Sequence, residues 1–176
     1  LELHRNQGNF CSVDRQILEN KKMNRLKKFF INSLKDYASD TYDFKNDVEL
    51  YITQSWINLS EPKDYHHQHS HPNSILSGVF YIDVDDEKDK INFFQNSIND
   101  LFRGNAFSFE HSNFNDFNSQ TWWMPSITGR LYIFPSGLPH DVSPNKDRTK
   151  NRTSLSFNTF VKGTLGKNNN STELII

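Results

Sequence analysis

Residues 66–83, HHQHSHPNSILSGVFYID, join a histidine cluster to a strand-forming segment. Four of the chain's seven histidines lie in the first six positions, and residues 74–83 are rich in β-branched and aromatic side chains. Side chains two residues apart in an extended chain point to the same face, so His69 and His71 can reach one metal ion together. Pro72 favours an extended conformation before it. The stretch therefore predicts a strand with a pair of histidine ligands just ahead of it.

Other strand-forming segments lie on both sides of this stretch. The pattern predicts strands at residues 49–58, 74–83, 90–94, 121–124, 129–134 and 152–161, with 121–124 as an edge strand ended by Pro125. Residues 95–120 lack clear periodicity and are predicted to form an irregular insertion, a candidate lid over a site. Strands do not alternate with helices, and no glycine-rich phosphate-binding motif occurs, which argues against a parallel nucleotide-binding sheet. We expect a mainly β protein whose two antiparallel sheets form a sandwich or jelly roll.

A helical segment is predicted ahead of the strands. Apolar residues recur at steps of three and four within residues 12–39, which indicates an amphipathic helix that packs on a sheet: Met23, Leu26, Phe30, Leu34 and Tyr37. We therefore expect one domain over residues 1–176. It would comprise a helical segment at 12–39, a sheet core at about 48–161 and a frayed tail at 162–176.

The composition limits the classes of function. The chain of 176 residues has a formal net charge of −1, which disfavours nucleic acid or an anionic membrane as a partner. Only 35% of residues are hydrophobic, but 15 Phe, 6 Tyr and 3 Trp predict an aromatic core. Cys11 is the single cysteine, so a cysteine zinc site is excluded and a cytoplasmic location is expected. No apolar run approaches the roughly 20 residues of a membrane span, and no signal peptide is visible.

A third histidine lies far from the cluster. His140 follows the predicted strand 129–134 and can complete a three-histidine metal site with His69 and His71, because three neutral imidazoles leave coordination positions open. His67 is in phase with this pair, so the choice of ligands stays open. His66 and His67 are otherwise expected next to the ligands or on the surface of a loop. Further on, Arg152 and Ser154 share a strand face, and a guanidinium beside a hydroxyl suits a carboxylate end group.

These segments together resemble the iron(II)/2-oxoglutarate-dependent oxygenases, specifically a branch of small bacterial and phage members. The resemblance is carried, in the expected order, by residues 55–58 (SWIN), 69–81 (HSHPNSILSGVFY), 129–140 (GRLYIFPSGLPH) and 152–158 (RTSLSFN). It covers most of the chain, from about residue 50 to about 160.

The resemblance implies a fold, cofactors and roles for residues. The fold would be a double-stranded β-helix, a cupin-like jelly roll. Fe(II) would be held by His69, His71 and His140, with His71 at the position where the wider superfamily has Asp or Glu. Arg152 and Ser154 would bind the C5 carboxylate of 2-oxoglutarate. Further candidate residues would contribute to the cosubstrate site (Tyr81) or lie near the metal or the substrate (His66, His67, Asn73, Asn58 and Trp56).

The implied activity is a dioxygenase that uses O2 and 2-oxoglutarate. It would hydroxylate an unidentified small-molecule or peptidyl substrate and convert 2-oxoglutarate to succinate; a phage-encoded enzyme would act in the host cytoplasm. A cupin-like three-histidine metalloprotein that does not use 2-oxoglutarate is the main alternative. A zinc hydrolase is disfavoured because no second ligand cluster is present, and a non-catalytic interaction module is the remaining option. The sequence leaves the substrate, the physiological metal and the oligomeric state open.

Overall fold

This computed structural model describes residues 1–43, 48–94, 110–115, 118–144, 149–166 and 172–176, which form eleven strands, one α-helix, two 3-10 turns and a π-helical turn at Ala38–Tyr42. The helix α1 spans Asn24–Tyr37. The strands are β1 (Leu3–Arg5), β2 (Phe10–Ser12), β3 (Val48–Ser60), β4 (His66–His69), β5 (Leu76–Asp83), β6 (Lys90–Phe94), β7 (Thr121–Pro125), β8 (Leu131–Pro135), β9 (His140–Val142), β10 (Arg152–Leu165) and β11 (Leu174–Ile175).

The strands form two antiparallel sheets. The larger sheet has the order β1-β2-β3-β10-β5-β8, with β11 paired to β10, and the smaller sheet has the order β4-β9-β6-β7. This arrangement confirms the predicted mainly β jelly roll with an N-terminal helix. The edge position predicted for residues 121–124 is also confirmed, because β7 ends the smaller sheet.

The long strand β10 organises the larger sheet, since it pairs with β3 on one side and β5 on the other. Arg152 lies opposite Ser60 at the start of this ladder. Ser154 lies opposite Asn58 on β3 and Tyr81 on β5. Cross-strand neighbours share one face of a sheet, so the start of β10 collects polar side chains from three strands.

Helix α1 packs on the larger sheet, as its apolar stripe predicts. Phe30 is fully buried and stacks on Phe157 of β10 with ring centroids 5.0 Å apart. Gly78 of β5 makes room for the same ring, because a Cβ atom at this position would lie 2.3 Å from Phe157. Burying aromatic rings of this size contributes a large part of the apolar stabilisation available to a domain of this length.

The predicted helix over residues 12–39 is wrong at its start. Ser12 ends β2, and single 3-10 turns at Ile17–Glu19 and Lys21–Met23 precede α1. Tertiary hydrogen bonds to β3 hold this segment out of the helix: Ser12 Oγ accepts from the Ile57 N–H over 3.0 Å, and Ser55 Oγ accepts from the Leu18 N–H over 2.9 Å. These contacts override local helix propensity.

The ends of several strands also differ from the prediction. The strand expected at residues 152–161 continues to Leu165, into the tail that was expected to fray, because Thr164 and Leu165 pair with Ile175 and Leu174. Gly129 adopts φ +82° in the turn before β8, which therefore starts at Leu131. The short strands β4 and β9 were not predicted at all.

The insertion predicted at residues 95–120 falls mostly outside the described residues, which include 110–115 and 118–120 of it. Residues 167–171 of the predicted tail also lie outside them. Within the described residues, no helix combines the length and apolar character that crossing a membrane requires.

Candidate metal and cosubstrate site

Three histidines converge where the smaller sheet faces the larger one. His69 on β4 pairs directly with His140 on β9, and His71 follows β4, with its backbone N–H donating to the Ser136 carbonyl over 2.9 Å. Their ring centroids lie 4.3 to 5.1 Å apart, and one nitrogen from each ring lies within 4.8 Å of those of the other two. Metal–nitrogen bonds of about 2 Å fit this spacing. The three rings border a cavity that is lined by residues of both sheets, and we call these three residues its histidine end.

Backbone hydrogen bonds orient two of these rings. The Nδ1 atom of His69 lies 2.8 Å from the His67 carbonyl, and that of His140 lies 2.9 Å from the Leu138 carbonyl. A carbonyl only accepts, so Nδ1 carries the proton in both rings. The Nε2 lone pairs are thereby left for a metal ion, an arrangement that is typical of metal-binding histidines.

Burial keeps the histidine end neutral. It lowers the pKa of His71 to about 3 and that of His140 to about 4, and it lowers the pKa of His69 as well. Neighbouring imidazoles lower the pKa of each ring further, while Asp141 and the His67 carbonyl act in the opposite direction on His69. At neutral pH the three rings are uncharged and their lone pairs are available.

His66 and His67 are neighbours in β4, but they differ in whether they border the cavity. The register of β4 against β9 shifts between His66 and His69, and the ring centroid of His67 lies 5.1 Å from that of His69. His66 borders the cavity and stacks on His69 with ring centroids 4.3 Å apart. Burial, with the charges of its neighbours, lowers the pKa of His66 to about 3. His67 is not among the residues that border the cavity.

Arg152 and Ser154 line the other end of the cavity, and Tyr81 packs against Arg152 without bordering the cavity itself; we call these three residues the arginine end. Arg152 is only 4% exposed, and its Nη2 donates to the Tyr81 hydroxyl over 3.4 Å, while its guanidinium lies 5.1 Å from the centre of the Tyr81 ring. Burial raises the pKa of Tyr81, which favours its neutral hydroxyl. The Nη1 atom of Arg152 is buried without a hydrogen-bond partner among the described residues.

The residues at the two ends fit the groups that the resemblance implies. Imidazole nitrogens suit Fe(II), and an unpartnered buried guanidinium suits a carboxylate. Apart from histidines, Arg152 and Asp141 are the only described residues bordering the cavity that have an ionisable charged side chain. The cavity therefore has a cationic end even without a metal ion. The cluster holds no carboxylate, in agreement with His71 at the position where the superfamily has Asp or Glu.

The remaining candidates fall into two groups. Trp56 and Asn58 border the cavity, where the Trp56 indole N–H donates to Asn58 Oδ1 over 3.2 Å, and Asn58 Nδ2 donates to Ser156 Oγ over 2.9 Å. Asn73 is exposed in a turn with φ +57° and does not border the cavity. Sequence reasoning missed Asn9, Ser60 and Ser156, which border the cavity through pairings between distant strands that no local pattern shows.

Comparison with a protein family agrees with this geometry. The sequence profile described as "Putative 2OG-Fe(II) oxygenase" matches residues 54–158, which is more than half of the chain. The chain belongs to this family. The match includes all three clustered histidines together with Arg152, Ser154 and Tyr81. Membership of this family implies a dependence on Fe(II) and 2-oxoglutarate, and the histidine cluster could hold the metal.

Solved structures show the same fold. The epimerase SnoN from nogalamycin biosynthesis is 16% identical, with 92% of this chain and 69% of that chain covered and a TM-score of 0.61. HygX from Streptomyces hygroscopicus, solved with nickel and 2-oxoglutarate, is 11% identical over 90% and 73% of the two chains (TM-score 0.58). A Pseudomonas putida prolyl-4-hydroxylase is 14% identical over 89% and 77% (TM-score 0.55). No curated protein sequence gives a significant match.

Proposed function

We propose that this family member is an Fe(II)- and 2-oxoglutarate-dependent dioxygenase that hydroxylates an unidentified small-molecule or peptidyl substrate. The observation that carries the proposal is the pairing of the two ends of one cavity. A cluster of three imidazoles lies at one end, and the Nδ1 bonds of His69 and His140 leave their Nε2 atoms for a metal ion; at the other end lies a buried guanidinium whose Nη1 has no partner among the described residues.

The histidine end would hold Fe(II) through His69, His71 and His140. Bound iron with O2 supplies the oxidation, in which one oxygen atom enters a C–H bond of the substrate and the other enters succinate as CO2 leaves 2-oxoglutarate. Three neutral ligands leave the full +2 charge of the metal in place, so they favour a dianionic cosubstrate. The protonated Nδ1 atoms of His69 and His140 stay bonded to backbone carbonyls, which fixes the orientation of these two rings.

The arginine end would orient 2-oxoglutarate. Arg152 Nη1 is available for the C5 carboxylate, and Ser154, on the same face of β10, offers a hydroxyl beside it. Tyr81 keeps the guanidinium in place from the neighbouring strand. A charge-assisted hydrogen bond to a buried guanidinium is strong, so this end would determine cosubstrate affinity.

Anaerobic calorimetry tests the proposal. We expect the wild-type protein to bind 2-oxoglutarate when it is loaded with Fe(II) and to bind it far more weakly without metal, because the cosubstrate would lose its chelation. Turnover in air should release succinate, measured by NMR. A metal-loaded protein that does not bind 2-oxoglutarate would contradict the proposal.

The all-histidine donor set favours one alternative, a cupin-like metalloprotein that does not use 2-oxoglutarate. The same calorimetry separates the two functions. The alternative predicts metal binding at the histidine end, no 2-oxoglutarate binding, and no effect of replacing Arg152 on any ligand that binds the metal.

A further inference from the structure

Asn9 is a buried polar residue that the family match does not cover. It lies in the hairpin between β1 and β2, ahead of the matched residues 54–158. Its side chain is 1% exposed and borders the cavity, and its Oδ1 has no hydrogen-bond partner among the described residues. An unpaired amide oxygen at such a depth is rare in proteins, because burying it without a partner destabilises the fold.

The sheet register brings Asn9 into one row with Arg152. Phe10 pairs with Leu59, so the residue before Phe10 falls beside the residue after Leu59, which is Ser60. Ser60 in turn pairs with Arg152. Ser60 and Arg152 lie on adjacent strands roughly 5 Å apart, Asn9 continues their row from the residue just before β2, and all three border the same cavity.

The chemistry of this row suits a carboxylate. It contains a guanidinium, a hydroxyl and an amide, and no acid. Neither Arg152 Nη1 nor Asn9 Oδ1 has a hydrogen-bond partner in the part of the chain that the structure describes, so these two atoms do not satisfy each other. A half-turn about χ2 exchanges the oxygen and the nitrogen of an amide, so Asn9 can present an N–H donor to an anion.

We propose that Asn9 is a further carboxylate-binding residue, supplied by the N-terminal hairpin, that contacts the end group of 2-oxoglutarate bound by Arg152. This inference rests on the proposed function. The hairpin would then be part of the cosubstrate site and not only an edge of the larger sheet.

The substitution Asn9→Leu tests the inference, because leucine has the same number and branching of side-chain heavy atoms and no polar atom. In calorimetry with Mn(II)-loaded protein, we expect the Kd for 2-oxoglutarate to rise about tenfold, because one hydrogen bond to a charged group is lost. The thermal midpoint of the ligand-free protein should stay the same or rise, because an unpaired buried amide has been removed. A purely structural role of Asn9 predicts a lower midpoint and unchanged affinity.

Asn6→Leu is the matched control, since Asn6 lies in the same hairpin but does not border the cavity. It should leave the Kd unchanged. Wild-type affinity in Asn9→Leu would overturn this inference and leave the proposed function in place. A wild-type protein that does not bind 2-oxoglutarate would overturn both.

If Asn9→Leu does not fold, Asn9→Asp provides the second test with a side chain of the same shape. A carboxylate there would compete with 2-oxoglutarate for Arg152, so we expect a loss of affinity greater than tenfold. Unchanged affinity in that variant would equally overturn the inference.

Discussion

The histidine end and the arginine end are built from different sheets, and they differ in how their polar groups are satisfied. At the histidine end, short strands of the smaller sheet hold His69 and His140, whose Nδ1 atoms already bond to backbone carbonyls. At the arginine end, the long strand β10 of the larger sheet holds a cation whose Nη1 has no partner among the residues that the structure describes. The first end is organised without ligand, whereas the second leaves a buried group that a ligand would satisfy.

This difference predicts opposite consequences for stability and binding. Histidine rings that are neutral and hydrogen-bonded cost little to bury, so metal binding should add stability to a site that is already formed. A buried guanidinium without an anion destabilises the ligand-free fold, and a bound carboxylate would remove that cost. The experiments below test the two ends separately.

The largest effect should come from His140→Ala. We expect the Kd for Mn(II), measured by calorimetry, to rise at least about 100-fold, because removing a direct ligand should cost more than altering a residue that only supports one. His69→Ala and His71→Ala should behave alike. Exposed His111 provides the control, and His111→Ala should bind Mn(II) as the wild type does.

His66→Phe shows whether the ligand set is correct. Phenylalanine keeps a ring stacked on His69 but carries no nitrogen, so Mn(II) affinity should be unchanged if His66 is only a neighbour of the ligands. Loss of Mn(II) binding in this variant, with retention in His71→Ala, would show that His66 replaces His71 as a ligand.

The next largest effect should come from Arg152→Met. We expect about 100-fold weaker binding of 2-oxoglutarate to Mn(II)-loaded protein, with Mn(II) affinity unchanged, because a charge-assisted contact at the far carboxylate is lost. The ligand-free protein should keep its thermal midpoint or gain stability, since replacing a buried unpaired charge by an apolar side chain is often neutral or stabilising. A lower midpoint with unchanged 2-oxoglutarate affinity would contradict the comparison between the two ends.

Lowering the pH should protonate the histidines of the histidine end and leave the positive charge of Arg152 unchanged. The folded-state pKa values of His71 and His140, about 3 and about 4, lie below the ordinary value of 6.5. The unfolded chain therefore binds more protons than the folded chain once the pH falls below about 6.5, so the stability of the metal-free protein decreases as the pH falls from there toward 4. The loss should be at most about 1.4 kcal/mol per pH unit for each buried ring.

Urea unfolding at pH 7, 5.5 and 4.5 measures this dependence. His140→Phe is the informative variant, because His140 already packs against Phe134 and Phe93, with ring centroids 4.8 and 6.2 Å away. Its free energy of unfolding should depend less steeply on pH than that of the wild type. An identical slope in both proteins would show that folding does not lower the pKa of His140.

The sequence predicts the two ends to different extents. The i, i+2 spacing of His69 and His71 ahead of a strong strand, with His140 after another, was enough to propose the cluster that the structure brings together. Strands β5 to β8 were found within two residues of their ends because their β-branched and aromatic residues form clear runs. Strands β4 and β9 were not found, because short histidine-rich segments have weak strand propensity and are held by pairing with each other.

The sequence pattern does not show how strands that are distant along the chain align with each other. The bulge in β4 places His66, and not His67, at the cavity, and a local pattern cannot show where a strand slips against its partner. Asn9 becomes a neighbour of Ser60 only through the pairing of β2 with β3. The helix start was misplaced for the same reason, since Ser55 and Ile57 hold the preceding segment through tertiary hydrogen bonds.

The smallest effect concerns the hydrogen bonds that link Trp56, Asn58 and Ser156 along the wall of the cavity. Trp56→Phe removes the indole N–H that donates to Asn58 Oδ1 and keeps an aromatic ring near His71. One neutral hydrogen bond contributes about 1 kcal/mol, so we expect stability to fall by about that amount, as measured by urea unfolding. If the hydrogen bonds from Trp56 through Asn58 to Ser156 couple the two ends, the affinities for Mn(II) and 2-oxoglutarate should fall together. A change confined to one ligand would instead show that the two ends are independent sites that share only a cavity wall.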